Sequence, residues 1–333
     1  MNSDSCGKRI AKYTDSYYKS KSKYEMIEEI KYMDPESKAT LSTSRLSLCK
    51  ILFALRSKQP LRYDGNNSCF IDTALMSIFY KKNQWIDKYI LNRDPIDMNT
   101  KQRKILKELK KLVSLIRDSD FNKNTTCSTL RTLFENYDEN YNNNFKIEWE
   151  NTQNEHTDVI KLLEHIFDIP NTTIYKEKRK TSKRFALVKH SLTGAHITSY
   201  QLYNKKVVKM SSFFPDYTDI DTETTYNFID APILYFNVQR NYLDEKKLYT
   251  KFKPPMSIIT KNERTLQLVS IIIHKGSRPI SGHYVGLLKT NDDDDHWFYY
   301  DDMEKSFKVV KESDIFKFDE QLVLRNGVGF VYM

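Results

Sequence analysis

The spacing of apolar residues changes character once along the chain. Up to about residue 167 they recur every three or four positions, and beyond Pro170 they come in short runs rich in Val, Ile, Tyr and Phe. The first spacing is that of helices buried on one side, the second that of strands. Residues 1–40 are polar and rich in Lys, Ser and Tyr, which predicts a loosely ordered extension with one helix at 23–33. The segment STSRLSLCKILFALRSK (42–58) predicts a capped amphipathic helix through Leu46, Leu48, Ile51, Leu52 and Leu55, ended by Pro60. In KQRKILKELKKLVSLIRD (101–118) an apolar face at 105, 106, 109, 112, 113, 115 and 116 opposes a basic one. A further helix is predicted over 154–168. Strands are predicted at 185–190, 195–202, 206–210, 232–239, 265–273, 283–289, 296–301 and 327–333. Helices first and strands later, with no βαβ alternation, predict an α+β fold with an antiparallel sheet.

The chain of 333 residues suffices for one large domain or two ordinary ones, and 39% hydrophobic residues suffice for a packed core. The net charge of +9 raises the question of an anionic partner. Its lysines are scattered, however, which fits a solvated surface and speaks against nucleic acid. The four cysteines, Cys6, Cys49, Cys69 and Cys127, form no CxxC pair, so neither a zinc site nor a disulfide framework is expected. Free thiols fit a reducing compartment, cytoplasmic or nuclear. The N-terminus has no apolar leader, and the longest apolar runs, such as LVSIIIH (268–274), are too short to span a bilayer. No membrane insertion and no cofactor are expected. Oligomeric state is not legible.

Candidate chemistry changes this picture at one place. In YDGNNSCFIDTALMSIFYKK (63–82) a Gly/Asn turn opens onto Cys69, and the residues after it have helical spacing. A helix N-terminus favours a thiolate and offers N–H groups to an oxyanion. Taken alone, a cysteine there is more often a buried structural residue. A nucleophilic thiol needs a base, usually distant in sequence. The segment SGHYVGLLKTNDDDDHWFYYDD (281–302) predicts a hairpin with its turn near Asp293. His283 then lies roughly opposite Asp301 or Asp302, a carboxylate beside an imidazole. Gly282 permits close approach of a substrate backbone. His274 is a second candidate base, but no carboxylate faces it across a hairpin.

With both segments in view, the chain resembles the ubiquitin-specific proteases. NNSCFIDTALMSIF looks like their Cys box, and HKGSRPISGHYVGLLK with WFYYDD is similar to their His box. DAPILYFNVQR (230–240), NGVGFVYM (326–333) and QNEHTDVIKLLEHIFD (153–168) resemble further conserved segments in the family's order. The likeness covers about 61–333. It implies a papain-like cysteine peptidase with a helical thumb (about 61–168), reduced fingers (about 172–228) and an antiparallel palm (about 230–333). Residues 58–333 would be the catalytic domain, and 1–57 an extension without a counterpart.

Carried over residue by residue, the resemblance makes Cys69 the nucleophile, His283 the base and Asp301 its orienting acid, with Asp302 secondary. Glu155 and Asp158 would hold the arginines of the ubiquitin tail, with Gly282 and Tyr284 beside that tail. The family usually has Asn as oxyanion donor five residues before the Cys; here Asp64 stands there, and a carboxylate only accepts. Asn66 or Asn67, with the backbone N–H groups of Ser68 and Cys69, would substitute. The implied partner is ubiquitin or its conjugates. Alternatives are a feeble or inactive relative that only binds ubiquitin, or a protease for another ubiquitin-like modifier.

Overall fold

The computed structural model describes residues 20–35, 37–65, 68–118, 121, 123–137, 159, 162–163, 166–167, 188–192, 195–201, 207–209, 233–240, 247, 249, 251–259, 264–278, 281–290 and 295–333. Helix α1 (Lys23–Met33) starts at Ser22 with a reciprocal capping box to Glu25. Helix α2 (Arg45–Arg56) starts at Ser44, whose side chain accepts the Ser47 N–H. Helix α3 (Cys69–Phe79) has all eleven residues buried. Helix α4 (Thr100–Ile116) starts in a capping box of Asn99 with Gln102 and buries Ile105, Leu106, Leu109, Leu112, Val113 and Ile116. Each of these begins and ends within three residues of the segment predicted for it. The helix expected over 154–168 is described only in part: Val159, Leu162, Leu163 and Ile166 are helical and buried, and they share one helical face.

Eight strands form the main path of one sheet, in the order β1 (Val188–Leu192), β2 (Ala195–Gln201), β4 (Ile233–Gln239), β11 (Gly327–Tyr332), β7 (Thr265–Arg278), β8 (Ser281–Lys289), β9 (His296–Tyr300) and β10 (Lys308–Lys311). Strand β6 (Ser257–Ile259) adds to β7, and β3 (Val207–Lys209) pairs with β5 (Lys251–Lys253) apart from this sheet. The main sheet is antiparallel except at β2–β4, which run parallel. The parallel pair departs from the antiparallel expectation, because β2 and β4 are joined by a long connection rather than a tight turn.

Among the described residues three strands and two helices went unpredicted, besides short helical segments within 84–97 and 312–314. Strands β5, β6 and β10 are three or four residues long, too short for alternation to register. Helix α5 (Ser128–Glu135) has eight residues and no side-chain cap. Helix α6 (Phe318–Asn326) begins with Asp319, Glu320 and Gln321 at positive φ, a conformation no sequence rule assigns to such residues.

Both faces of the sheet are covered. Ile272, Leu288, Phe298 and Val331 face a core shared with α1 to α5. Ile271, Ile273, Leu287, Tyr299 and Phe330 face a second core closed by Phe252, Leu322 and Val323. Met26 and Ile30 of α1 and Leu48 and Leu52 of α2 belong to the same core as Cys69 and Phe70. The two helices that precede residue 58 therefore pack as part of this body. Among the described residues no helix is long and apolar enough to cross a membrane.

Candidate active site

Helix α3 is pinned to the sheet by one polar side chain from each. Thr73 donates to the Tyr284 carbonyl at 3.2 Å, and Ser270 donates to the Ser77 carbonyl at 3.0 Å. Helix α3 crosses β8 at Gly286, where an added Cβ would make only ordinary contact, 3.6 Å from Thr73 Cγ2. The N-terminus of α3, with Cys69, is thereby set beside the start of β8, with His283. Cys69 is 4% exposed, and the Ile71 and Asp72 N–H groups already bond to Ser68 O, which leaves the N–H groups of Cys69 and Phe70 outside the helical ladder.

The hairpin folds as its sequence implies. Strands β8 and β9 pair Gly286 with Tyr300 and Lys289 with Trp297, a register centred on residue 293. Strand β9 ends at Tyr300, so Asp301 lies beyond the ladder and reaches His283 diagonally. His283 Nε2 is 2.7 Å from Asp301 Oδ1 and 3.5 Å from Asp302 Oδ1. The imidazole also interacts electrostatically with Cys69 at the start of α3. Burial disfavours the imidazolium, but its hydrogen bond to Asp301 and its interaction with Cys69, with the charges those groups carry when ionised, outweigh it and push the His283 pKa up to about 10. Asp301 is held below the usual carboxylate range: burial opposes this, but His283 and the Met303 N–H at 3.2 Å prevail. For Asp302 burial dominates and pushes its pKa up to about 6, against the pull of His283.

His283, Asp301 and Asp302 bring their polar atoms within 4.8 Å of one another, compact enough for a cation. Yet the one nitrogen in the set is already bonded to one of the two acids, so the group reads as an ion pair, not as a metal centre.

His274 pairs with Tyr284 across β7–β8, is 4% exposed, and contacts that ring at 4.8 Å between centroids. Burial first, then the charges of Lys247 and His283, lower its pKa to about 3. It is a neutral packing residue at working pH. Lys247 donates to the His274 carbonyl, to the Gly276 carbonyl at 3.0 Å and to Asn326 Oδ1 at 2.7 Å, which ties β7 to the end of α6. Gly282 is demanded by this packing: an added Cβ would overlap the Lys275 carbonyl oxygen and the His274 ring.

Asp64 is committed to another partner. Its Oδ2 lies 2.9 Å from Arg131 Nη2 and its Oδ1 3.3 Å from Nη1, with the Asp64 side chain 4% exposed. Its backbone N–H donates to Ser68 Oγ at 3.2 Å. The acid five residues before Cys69 is thus neutralised by an arginine on α5. Asn66, Asn67, Glu155 and Asp158 lie outside the described residues. Three side chains at this site were not singled out from the sequence. Asp72 was legible as a lone acid in an otherwise apolar or small-residue helix. Cys127 and Arg131 carried no local signal, because α5 was itself unpredicted.

A family model described as ubiquitin carboxyl-terminal hydrolase matches residues 64–324. No curated protein matches the chain.

Proposed function

Because this chain belongs to the ubiquitin carboxyl-terminal hydrolase family, we propose that it is an active thiol hydrolase that cleaves the peptide or isopeptide bond after the C-terminal glycine of ubiquitin. The observation that carries this is the imidazole of His283, bonded to Asp301 and interacting with Cys69 at the start of α3. Cys69 attacks the glycine carbonyl as a thiolate, and the bond to the leaving nitrogen breaks once His283 protonates it. Water deprotonated by His283 then attacks the thioester, which releases the ubiquitin carboxylate and restores the thiol. Asp301 fixes the imidazole's orientation and steadies its charge in both steps.

The oxyanion is stabilised by backbone N–H groups at the start of α3, with Asn66 or Asn67 as the side-chain donor. Asp64 does not oppose this charge, since Arg131 balances it. Glu155 and Asp158 hold arginines of the ubiquitin tail, and Gly282 and Tyr284 border the tail. Turnover of a fluorogenic ubiquitin C-terminal amide tests this reading. It is expected in the wild type and absent in Cys69→Ala. Ubiquitin binding without turnover by the wild type overturns it in favour of an inactive binder.

A further inference from the structure

Helix α3 carries one acid among its eleven buried residues. Asp72 is 0% exposed and lies one turn along from Cys69, on the same side of the helix. The groups that face it are Ser68 at the start of its own helix, Cys127 at the start of α5, and Tyr300 and Asp302 at the end of β9. Asp302 is 1% exposed, and it faces His283 and Asp301 on its other side. None of the four carboxyl oxygens of Asp72 and Asp302 is met by a described donor in ordinary hydrogen-bond geometry. Two buried carboxylates that face each other cannot both stay ionised. One proton between them removes the repulsion and gives each a partner.

We propose that Asp72 is a positioning residue for the reaction: it carries a proton donated to Asp302, and this bridge locks the nucleophile's helix to the hairpin end that holds Asp301 against His283. The proposal rests on the assignment of Cys69 and His283 as the reacting pair. The segment ahead of α3 is joined to the same hairpin end. The Tyr63 N–H donates to Asp302 O at 3.1 Å, and Tyr300 Oη donates to Leu61 O at 3.0 Å. Burial and the Asp302 charge hold the Asp72 pKa well above the carboxylate range, although Ser68 and Cys127 favour its charged form. The Cys127 thiol is in turn held protonated, chiefly by burial and then by Asp72. Its nearby charges, Asp64 and Arg131, are the ion pair already described.

Two variants of the full chain separate the bridge from mere packing. Asp72→Asn keeps a donor to Asp302, and Asp72→Leu keeps the volume without one. An infrared difference spectrum, wild type minus Asp72→Asn at pH 7, is expected to show the carbonyl band of a protonated carboxylic acid; no such band overturns the proposal. Alkylation of Cys69 by iodoacetamide is followed over pH 5 to 9. Asp72→Asn is expected to stay within about threefold of wild type, and Asp72→Leu to fall about tenfold at pH 7. Its acid limb is expected to move up by about one unit, because Asp302 loses a donor to its charged form. Asp72→Leu at the wild-type rate, or Asp72→Asn as slow as Asp72→Leu, also overturns it. If Asp72→Leu does not fold, the infrared band decides. Alkylation uses no ubiquitin, so a chain that fails to turn over ubiquitin but responds to Asp72→Leu refutes the proposed function and leaves the bridge standing.

Discussion

His283 Nε2 lies 2.7 Å from Asp301 Oδ1 and 3.5 Å from Asp302 Oδ1. The two adjacent acids are therefore unequal partners of one imidazole. Asp301→Ala is expected to lower kcat/KM by about a hundredfold or more, mostly in kcat, since it removes the group that orients the base. Asp302→Ala is expected to cost less, about tenfold, through the neighbouring bridge rather than a short bond to the ring. Steady-state kinetics on a fluorogenic ubiquitin substrate separate the two.

The Asp64–Arg131 pair supports the turn ahead of the nucleophile. Arg131→Met leaves a buried carboxylate without its counter-charge, and a loss of about 3 kcal/mol is expected. Arg131→Met with Asp64→Asn removes both charges and is expected to recover most of that loss. Chemical denaturation of the two variants checks this; equal destabilisation would show that the charges are not coupled.

The raised pKa of His283 makes a signed statement about stability. The folded chain holds the proton more tightly than the unfolded one, whose imidazole titrates near 6.5, up to a folded value of about 10. The contribution is fully present below about pH 6.5, provided Asp301 is still ionised, and is lost as pH rises towards 10. The Tm difference between wild type and His283→Gln is expected to shrink across that window. A difference that grows with pH would contradict the charged imidazole.

Gly282 stands against the His274 ring and the Lys275 carbonyl, and strand backbone cannot yield as a flexible side chain does. Gly282→Ala is expected to cost about 1–3 kcal/mol. It is also expected to lower activity, because His283 is the next residue. Thermal melts and turnover, measured together, check both effects.

Much of this was legible because local rules agreed with the global fold. The apolar spacing over 101–118 predicts α4 to within two residues, and the structure adds the capping boxes of Ser22 with Glu25 and Asn99 with Gln102 at the starts of α1 and α4. The hairpin's symmetry about residue 293 could be read from its polar tip, and with it the meeting of His283 and Asp301. What escaped depends on contacts between distant segments. Nothing near Asp64 announces Arg131, which lies 67 residues on. Nothing near Asp72 announces Asp302, since a sequence shows a lone acid in a buried helix but not the second acid that faces it. The parallel β2–β4 pair is likewise set by packing rather than by period.

The most direct test maps the adduct formed by ubiquitin that carries a C-terminal electrophile. The wild type is expected to yield one covalent adduct, located on Cys69 by peptide mass mapping, and Cys69→Ala to yield none. An adduct on Cys6, Cys49 or Cys127, or one that persists in Cys69→Ala, would contradict Cys69 as the nucleophile.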